Sequence, residues 1–208
     1  MLRRQGRFRN RSQPLAFSID SRQREPVPVA IVQRFALLDE LFAEGAEVLG
    51  RDLTAYRNHA YRVFNLCRGF VLAPDTTTNE RIAVAAYFHD VGIWTDDTFD
   101  YLAPSAARAL AWLARASRDA WSGEVSRMIA EHHKVTAYIA TDGELVEAFR
   151  RADWIDVMLG TRRFGLERSF VSEVRAAFPN AGFHRRLLDL GWRRCVSHPL
   201  NPLPMMHW

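Results

Sequence analysis

The sequence predicts an all-α protein, in which one helical bundle domain follows a loose N-terminal arm. Apolar residues recur at three- and four-residue steps along most of the chain, which is the period of an amphipathic helix. Nowhere do two alternating segments flank a short turn, so no β-hairpin is predicted. Hydrophobic residues make up 48% of the 208 residues, which is enough for a single domain with a sizeable core.

The first half of the chain is predicted to form three helices, over residues 29–48, 51–72 and 78–90. Gly50 separates the first helix from the second, because glycine favours chain breaks. In the second helix, Tyr56 and Val63 lie two turns apart on one face. Thr77 followed by Glu80 predicts a capping box at the start of the third helix.

The second half is predicted to form five more helices: from Pro104 or Ser105 to about residue 117, from Ser122, from Asp142-Gly143, and near 166–177 and 182–191. Ser122 is expected to cap a helix in which Val125, Met128 and His132 share a face. Prolines crowd the last residues of the chain, which favours an irregular end.

Three regions of different composition divide the chain. Residues 1–25 are predicted to be a disordered basic arm, 26–195 the helical domain and 196–208 a Pro-rich tail. The arm has a net charge of +5, whereas the whole chain has a net charge of +4. The remainder of the chain is therefore close to −1 and is not expected to bind nucleic acid. No run of about 18 apolar residues predicts a membrane span. Cys67 and Cys195 form no CxxC pair, which favours a reducing, cytoplasmic compartment.

Polar residues interrupt the apolar face of four predicted helices. They are His59, His89 with its neighbour Asp90, His132, and Asp153. These faces are buried against one another in a bundle, and burial without partners would cost several kcal/mol for each polar group. A divalent metal ion takes neutral imidazoles and carboxylates together. The pattern therefore predicts one buried site for Mn, Fe, Ni, Zn or Mg.

The order of these residues resembles that of the HD-domain superfamily of metal-dependent phosphohydrolases. The segments that carry the resemblance are YRNHAYRV, AYFHDVGIW, IAEHHKV and RADWIDV, between about residues 30 and 160. The resemblance implies an all-α fold and the metal ligands His59, His89, Asp90 and Asp153. Asp156, one turn after Asp153, is the competing ligand and is expected to support the site from outside. No histidine stands in YLAPSAA, where two-metal members carry one, so a single ion is expected.

The chemistry implied by this resemblance is hydrolysis of a phosphate ester or nucleotide. A bound divalent ion lowers the pKa of water from about 15.7 toward about 7, so a metal-bound hydroxide attacks the small-molecule substrate. His132 or His133 would orient that water or protonate the leaving oxygen. Asp96 lies in a loop that could reach the site, and Arg62 and Lys134 are candidates for contact with the phosphate.

Two other functions stay open at the level of the sequence. One is hydration of a small neutral substrate such as cyanamide or another nitrile, which the nearby apolar residues Phe88, Trp94, Phe99 and Tyr101 would suit. The other is a non-catalytic domain that senses a ligand. The complete set of metal-binding residues favours an enzyme over a sensor.

Lys134 is the only lysine among 28 basic residues, and it directly follows the His132-His133 pair. A helix that continued through Lys134 would turn its side chain away from the metal by about 200° relative to His132. We therefore expect the helix to end at His133, so that the ammonium group reaches the substrate. The alternative is a solvated lysine that the helix macrodipole favours near a helix C-terminus.

Overall fold

The structure, a computed structural model, describes residues 30–201 and 203–206. The predicted basic arm at residues 1–25 lies outside the described residues, as does His207 in the tail. Throughout the described part the chain forms helices, turns and loops, with no β-sheet. The prediction of an all-α protein is therefore confirmed.

Ten α-helices and two 3₁₀ turns follow one another in the described chain. Eight of the helices have nine or more residues, and two are single turns. The elements are α1 (Ala36–Glu44), α2 (Ala46–Leu49), η1 (Gly50–Asp52), α3 (Leu53–Arg68), α4 (Thr76–Phe88), α5 (Gly92–Thr95), α6 (Leu102–Arg115), η2 (Asp119–Trp121), α7 (Ser122–Glu131), α8 (Glu144–Val157), α9 (Arg168–Ala177) and α10 (Phe183–Ser197).

Helices α3 and α4 form the centre of the bundle. Every residue from Ile82 to Phe88 is buried, and so is nearly every residue of α3 from Tyr56 to Cys67. A helix that is apolar on all sides belongs in the middle of a core. Helix α3 packs against α4 and α8, and α7 packs against α8 and α4. This arrangement brings polar side chains of α3, α8 and the C-terminal ends of α4 and α7 to one point.

The predicted first helix, 29–48, is wrong in its extent. The structure has two shorter helices, α1 and α2, that meet at Gly45. A Cβ atom on Gly45 would overlap the hydroxyl of Tyr87, so the close approach of Tyr87 requires glycine there. The sequence shows the glycine but not the ring that packs against it.

The predicted capping box at Thr77 and Glu80 is also wrong. Helix α4 begins two residues earlier than predicted, at Thr76, and Asp75 is its N-cap. The carboxylate of Asp75 accepts a hydrogen bond from the backbone N–H of Thr78 at 2.7 Å. Aspartate is among the strongest N-cap residues, because its carboxylate also suits the positive end of the helix dipole.

The start of α6 and the cap of α7 also differ from the predictions. Helix α6 begins at Leu102, and Pro104 lies within its first turn, where a backbone N–H would have no helical partner. Helix α7 does begin at Ser122, but the Ser122 side chain does not cap it. The 3₁₀ turn η2 leads directly into the helix instead.

The C-terminal region packs against the site end of the bundle. Helix α10 extends to Ser197, six residues beyond its predicted end. Beyond it, Met205 is 4% exposed and packs with Ile93 and Tyr101. Within the described residues, no helix has the length and apolar character that crossing a membrane requires.

Candidate metal centre

Four helices each contribute a polar side chain to a buried cluster, which we call the His/Asp cluster. His59 comes from the middle of α3, and Asp153 from the middle of α8. His89 and His132 are the C-cap residues of α4 and α7. Asp90 follows His89 in the turn after α4. All five side chains are at least 96% buried, so the cluster is a true interior site.

Each of the three cluster histidines forms a hydrogen bond through Nδ1. Nδ1 of His89 donates to the carbonyl of Ala86 at 2.9 Å, and Nδ1 of His132 donates to that of Ile129 at 2.7 Å. Both acceptors lie three residues earlier, at the end of the same helix. Since a carbonyl only accepts, the proton of each neutral ring must be on Nδ1. The Nε2 lone pairs of both rings are therefore turned toward the cluster.

His59 is oriented by a carboxylate instead of a carbonyl. Its Nδ1 lies 2.7 Å from Oδ2 of Asp156. Burial alone would raise the pKa of Asp156, but hydrogen bonds from His59 and Arg62 hold it well below its usual range. Asp156 is thus an acceptor, and Nε2 of His59 carries a lone pair. Metal-binding histidines are commonly oriented in this way by a carboxylate behind the ring.

The lone pairs and carboxylate oxygens of the cluster converge within a few ångströms. Nε2 of His59 lies 2.9 Å from Nε2 of His89 and 3.5 Å from Oδ1 of Asp153. Oδ2 of Asp90 lies 3.3 Å from Nε2 of His89, and Oδ1 of Asp90 lies 3.4 Å from Nε2 of His132. Such spacings suit ligands around a common ion. His59, His89 and Asp153 form one group that could hold a metal, and His89, Asp90 and His132 form another.

Several buried atoms of the cluster lack hydrogen-bond partners in the described part of the chain. They are Oδ1 of Asp90, Nε2 of His132 and both carboxylate oxygens of Asp153. Leaving such atoms unpaired costs about 1–3 kcal/mol each, and more for charged groups. When both carboxyl groups are ionised and His132 carries its proton on Nδ1, all four atoms are acceptors and cannot pair with each other. A cation satisfies all of them together, and the donor set of imidazole and carboxylate fits a divalent metal.

The pKa values of the cluster residues are also consistent with a bound cation. Burial raises the pKa of Asp153 to about 8, and burial lowers the pKa of His59 to about 4. Burial thus disfavours the charged forms of Asp153 and His59, and a bound cation would restore the carboxylate of Asp153 as a ligand.

His133 lies beside the cluster and differs from the other histidines. Its Nε2 is 2.6 Å from the hydroxyl of Tyr101, and its Nδ1 is 3.7 Å from Oδ2 of Asp153. Its side chain is 14% exposed, whereas that of His132 is fully buried. Burial lowers the pKa of His133 well below its usual value, so the ring is neutral at pH 7. Burial, followed by the charge of Asp90, raises the pKa of Tyr101 well above its usual value, so Tyr101 keeps its proton.

A cavity of about 700 Å³ opens onto this side of the cluster. Asp153, His133 and Tyr101 form its inner end, and His184 lies on its wall. Most of the remaining surface comes from apolar side chains of α8, α10 and residues 203–206. This volume lies within the roughly 300–1,000 Å³ range of small-molecule sites. The cavity therefore connects the His/Asp cluster to the surface.

The structure brings some of the predicted site residues together and places others away from the cluster. It brings together His59, His89, Asp90, His132 and Asp153. His132 takes the position of a ligand, not that of an acid or base beside the substrate, because its Nε2 is buried against Asp90.

Arg62 and Asp96 lie elsewhere than predicted. The buried guanidinium of Arg62 binds both oxygens of Asp156, at 2.5 and 2.8 Å, and the carbonyl of Phe178. It supports Asp156 from behind the cluster and has no position from which to contact a substrate. Asp96 is held by the guanidinium of Arg108 at 2.8 Å, with its side chain 34% exposed.

The chain turns near Lys134 much as predicted. Helix α7 ends at Glu131, two residues before the expected end at His133. The carbonyl of Lys134 accepts hydrogen bonds from Arg150 at 3.0 Å and from the indole of Trp154 at 3.1 Å. Lys134 is not among the residues that line the cavity. Its expected contact with a substrate stays a prediction.

Sequence reasoning missed Tyr101 as a functional residue. Tyr101 was grouped with apolar neighbours, whereas its hydroxyl contacts His133. It lies at the end of a loop and is buried by Met205 from the far end of the chain. No local sequence pattern predicts this contact. The sequence shows only that a polar aromatic residue stands directly before a helix.

Comparison of the chain with protein-family models, curated proteins and solved structures finds no match. The chemistry of the site must therefore be inferred from its own residues.

Proposed function

We propose that the protein is a metal-dependent hydrolase of the HD type, acting on a small-molecule substrate. The observation that supports this most is the convergence of unpaired acceptors from His132, Asp90 and Asp153 beside an open cavity. A purely structural cluster has no need of a route to the surface. The order of histidines and aspartates along the chain, which resembles that of HD-domain enzymes, supports the same reaction class.

The residues that would hold the ion are His59, His89, Asp90 and Asp153, with His132 as a fifth. When bound, a divalent ion supplies an acidified water, whose pKa falls from about 15.7 toward about 7, and neutralises developing negative charge. The chain holds its ligands rigidly, because every ligand imidazole is fixed through Nδ1. Rigid ligands need no reorganisation during the reaction.

His133 is suited to move a proton at the inner end of the cavity. It is neutral at pH 7, it is partly exposed, and it lies beside Asp153 without being fully enclosed. The hydroxyl of Tyr101 fixes the orientation of its ring. With Nε2–H donated to the hydroxyl of Tyr101, Nδ1 of His133 would be free to accept a proton from the attacking water and return it to the leaving group.

Two substrate classes follow from this arrangement. The resemblance favours a phosphate ester or nucleotide. A neutral substrate, such as a nitrile, is favoured by a specific observation, since no lysine or arginine is among the residues that line the cavity. A non-catalytic sensor would need the cluster and the cavity but not the partly exposed His133.

The proposal can be tested by assaying the purified chain with each of Mn²⁺, Fe²⁺, Ni²⁺, Zn²⁺ and Mg²⁺. The substrates would be p-nitrophenyl phosphate, p-nitrophenyl butyrate, nucleoside monophosphates and cyanamide. We expect turnover of at least one that requires metal and is lost in His89→Gln. Full metal loading without turnover of any substrate would favour the sensor instead.

A further inference from the structure

We propose that the substrate is an uncharged, predominantly apolar molecule that binds in the cavity between α8 and α10. This proposal rests on the proposed function, because it assigns a substrate class to the same site. It departs from the phosphate class that the resemblance implies. Its basis is the chemical character of the cavity wall.

Apolar side chains make up most of the cavity wall outside its inner end. Apolar side chains come from three separate parts of the chain, which makes the character of the wall independent of any one helix. They are Trp154 and Val157 of α8, Leu187, Leu188 and Trp192 of α10, and Leu203, Met205 and Met206 of the C-terminal segment.

Polar groups are confined mainly to the inner end. Asp153, His133 and Tyr101 lie there, and His184 lies on the wall with its Nε2 already donating to the carbonyl of Asp156 at 3.0 Å. Such a cavity positions one reactive group of a ligand at the cluster and surrounds the rest with hydrocarbon. This division is typical of small-molecule sites.

Apart from the proposed metal ion, the cavity offers no positive charge to complement an anionic substrate. No lysine or arginine is among the residues that line the cavity. Arg62, which the sequence suggested as a phosphate contact, has its guanidinium bound to Asp156 and to the carbonyl of Phe178. A phosphate group entering the cavity would lose its hydration with no side-chain cation to replace it. An uncharged ligand avoids that cost and gains from burial of its apolar surface, by about 25 cal/mol per Å².

The binding test uses N-phenyl-1-naphthylamine, an uncharged probe that becomes fluorescent in apolar surroundings, added to the metal-loaded full chain. We expect saturable binding of one probe per chain. Leu188→Arg places a cation on the cavity wall at a position that is 75% exposed, so the variant should fold. It should weaken probe binding at least tenfold. Leu72→Arg makes the same change at a position that is 91% exposed and outside the cavity, and should leave binding unchanged.

A second variant fills the cavity instead of charging it. Gly191 lies on α10 at the cavity wall, and a Cβ there would meet only the ring of Phe99, at an ordinary 3.9 Å. Gly191→Trp should therefore extend into the cavity and abolish probe binding without unfolding the chain. Circular dichroism of each variant verifies the fold.

The proposal is overturned if the wild-type chain shows no saturable binding, if Leu72→Arg loses binding as much as Leu188→Arg, or if p-nitrophenyl phosphate displaces the probe. Absence of probe binding is also the result expected if a second copy or another segment of this chain fills the cavity.

Measurement of turnover distinguishes failure of the proposed substrate class from failure of the proposed function. Metal-dependent hydrolysis of p-nitrophenyl phosphate without probe binding overturns the substrate class alone. Probe binding with no metal-dependent turnover overturns the hydrolase and retains the cavity only as a binding site for an uncharged, apolar ligand.

Discussion

Nε2 of His59 lies 2.9 Å from Nε2 of His89, and both atoms carry lone pairs in the tautomers that place the ring protons on Nδ1. The proton of His59 is on Nδ1, facing Asp156, and the proton of His89 is on Nδ1, facing the carbonyl of Ala86. Two neutral rings in this geometry repel each other through their lone pairs. A shared cation converts the same geometry into an attraction, which is the central feature of the proposed metal centre.

Removal of metal should lower the thermal stability of the chain. An ion present at about 100 times its Kd stabilises the folded state by about 2.7 kcal/mol. For a chain of this length that corresponds to a loss of about 5–10 °C in Tm. Differential scanning fluorimetry with and without EDTA measures the change. His89→Gln should show little response to EDTA, and an equal response in both proteins would place the metal elsewhere.

Replacement of Asp156 by asparagine should weaken metal binding without touching a ligand. The amide no longer holds the His59 proton on Nδ1 with a charged acceptor, so metal affinity should fall about 10–100-fold. Arg62 also loses its buried counter-charge, which should cost about 3–5 kcal/mol of folding free energy. Competition with a metal-binding dye and urea denaturation measure the two effects.

A matched control for that variant is Asp96→Asn. Asp96 also accepts two hydrogen bonds from an arginine, Arg108, but it lies near the surface and away from the cluster. Metal affinity should be unchanged. If both variants lose metal to the same degree, the effect is not due to the orientation of His59.

The turn after α7 depends on a buried ion pair between Glu147 and Arg150. Arg150 binds both oxygens of Glu147 and donates to the carbonyl of Lys134. Arg150→Met should destabilise the fold by about 3–5 kcal/mol, because it leaves Glu147 buried without its main partner. Arg151 binds the same carboxylate with its own side chain 38% exposed, so Arg151→Met should cost under about 1 kcal/mol. Equal losses in urea denaturation would contradict this difference.

Gly92 should tolerate no side chain. A Cβ there would lie 2.8 Å from the backbone carbonyl of Tyr101 and 3.0 Å from the hydroxyl of Ser105. Gly92→Ala should displace Tyr101, lower Tm and reduce turnover, because Tyr101 orients His133. At Gly123, in α7, the nearest atom is 3.9 Å from a Cβ, so Gly123→Ala should be neutral or slightly stabilising. A stable and fully active Gly92→Ala variant would show that the position of Tyr101 is unimportant.

The helical period accounts for what the sequence could predict of the site. His59 and Asp153 lie on the apolar faces of long helices, and His89 and His132 end two others. Helix packing brings those faces together, so residue type and spacing were sufficient to predict that these side chains meet.

The outer parts of the site could not be predicted in the same way. Arg62 shares a helix face with His59, but spacing does not reveal that it points behind the cluster toward Asp156. Asp96 belongs to a loop, whose path depends on tertiary contacts such as its pair with Arg108. The cavity depends on Met205, more than 100 residues from Tyr101 in the chain, so no local pattern contains it.

Elemental analysis of the purified chain and of His89→Gln tests the central claim most directly. His198→Gln, an exposed histidine outside the cluster, serves as the matched control. The proposed centre predicts at least one equivalent of a divalent metal per chain in the wild type and in His198→Gln, and a loss of most of it in His89→Gln with the helical circular dichroism spectrum retained. Wild-type protein without metal after incubation with Mn²⁺, Fe²⁺, Ni²⁺, Zn²⁺ and Mg²⁺, or equal metal content in folded His89→Gln, would contradict it.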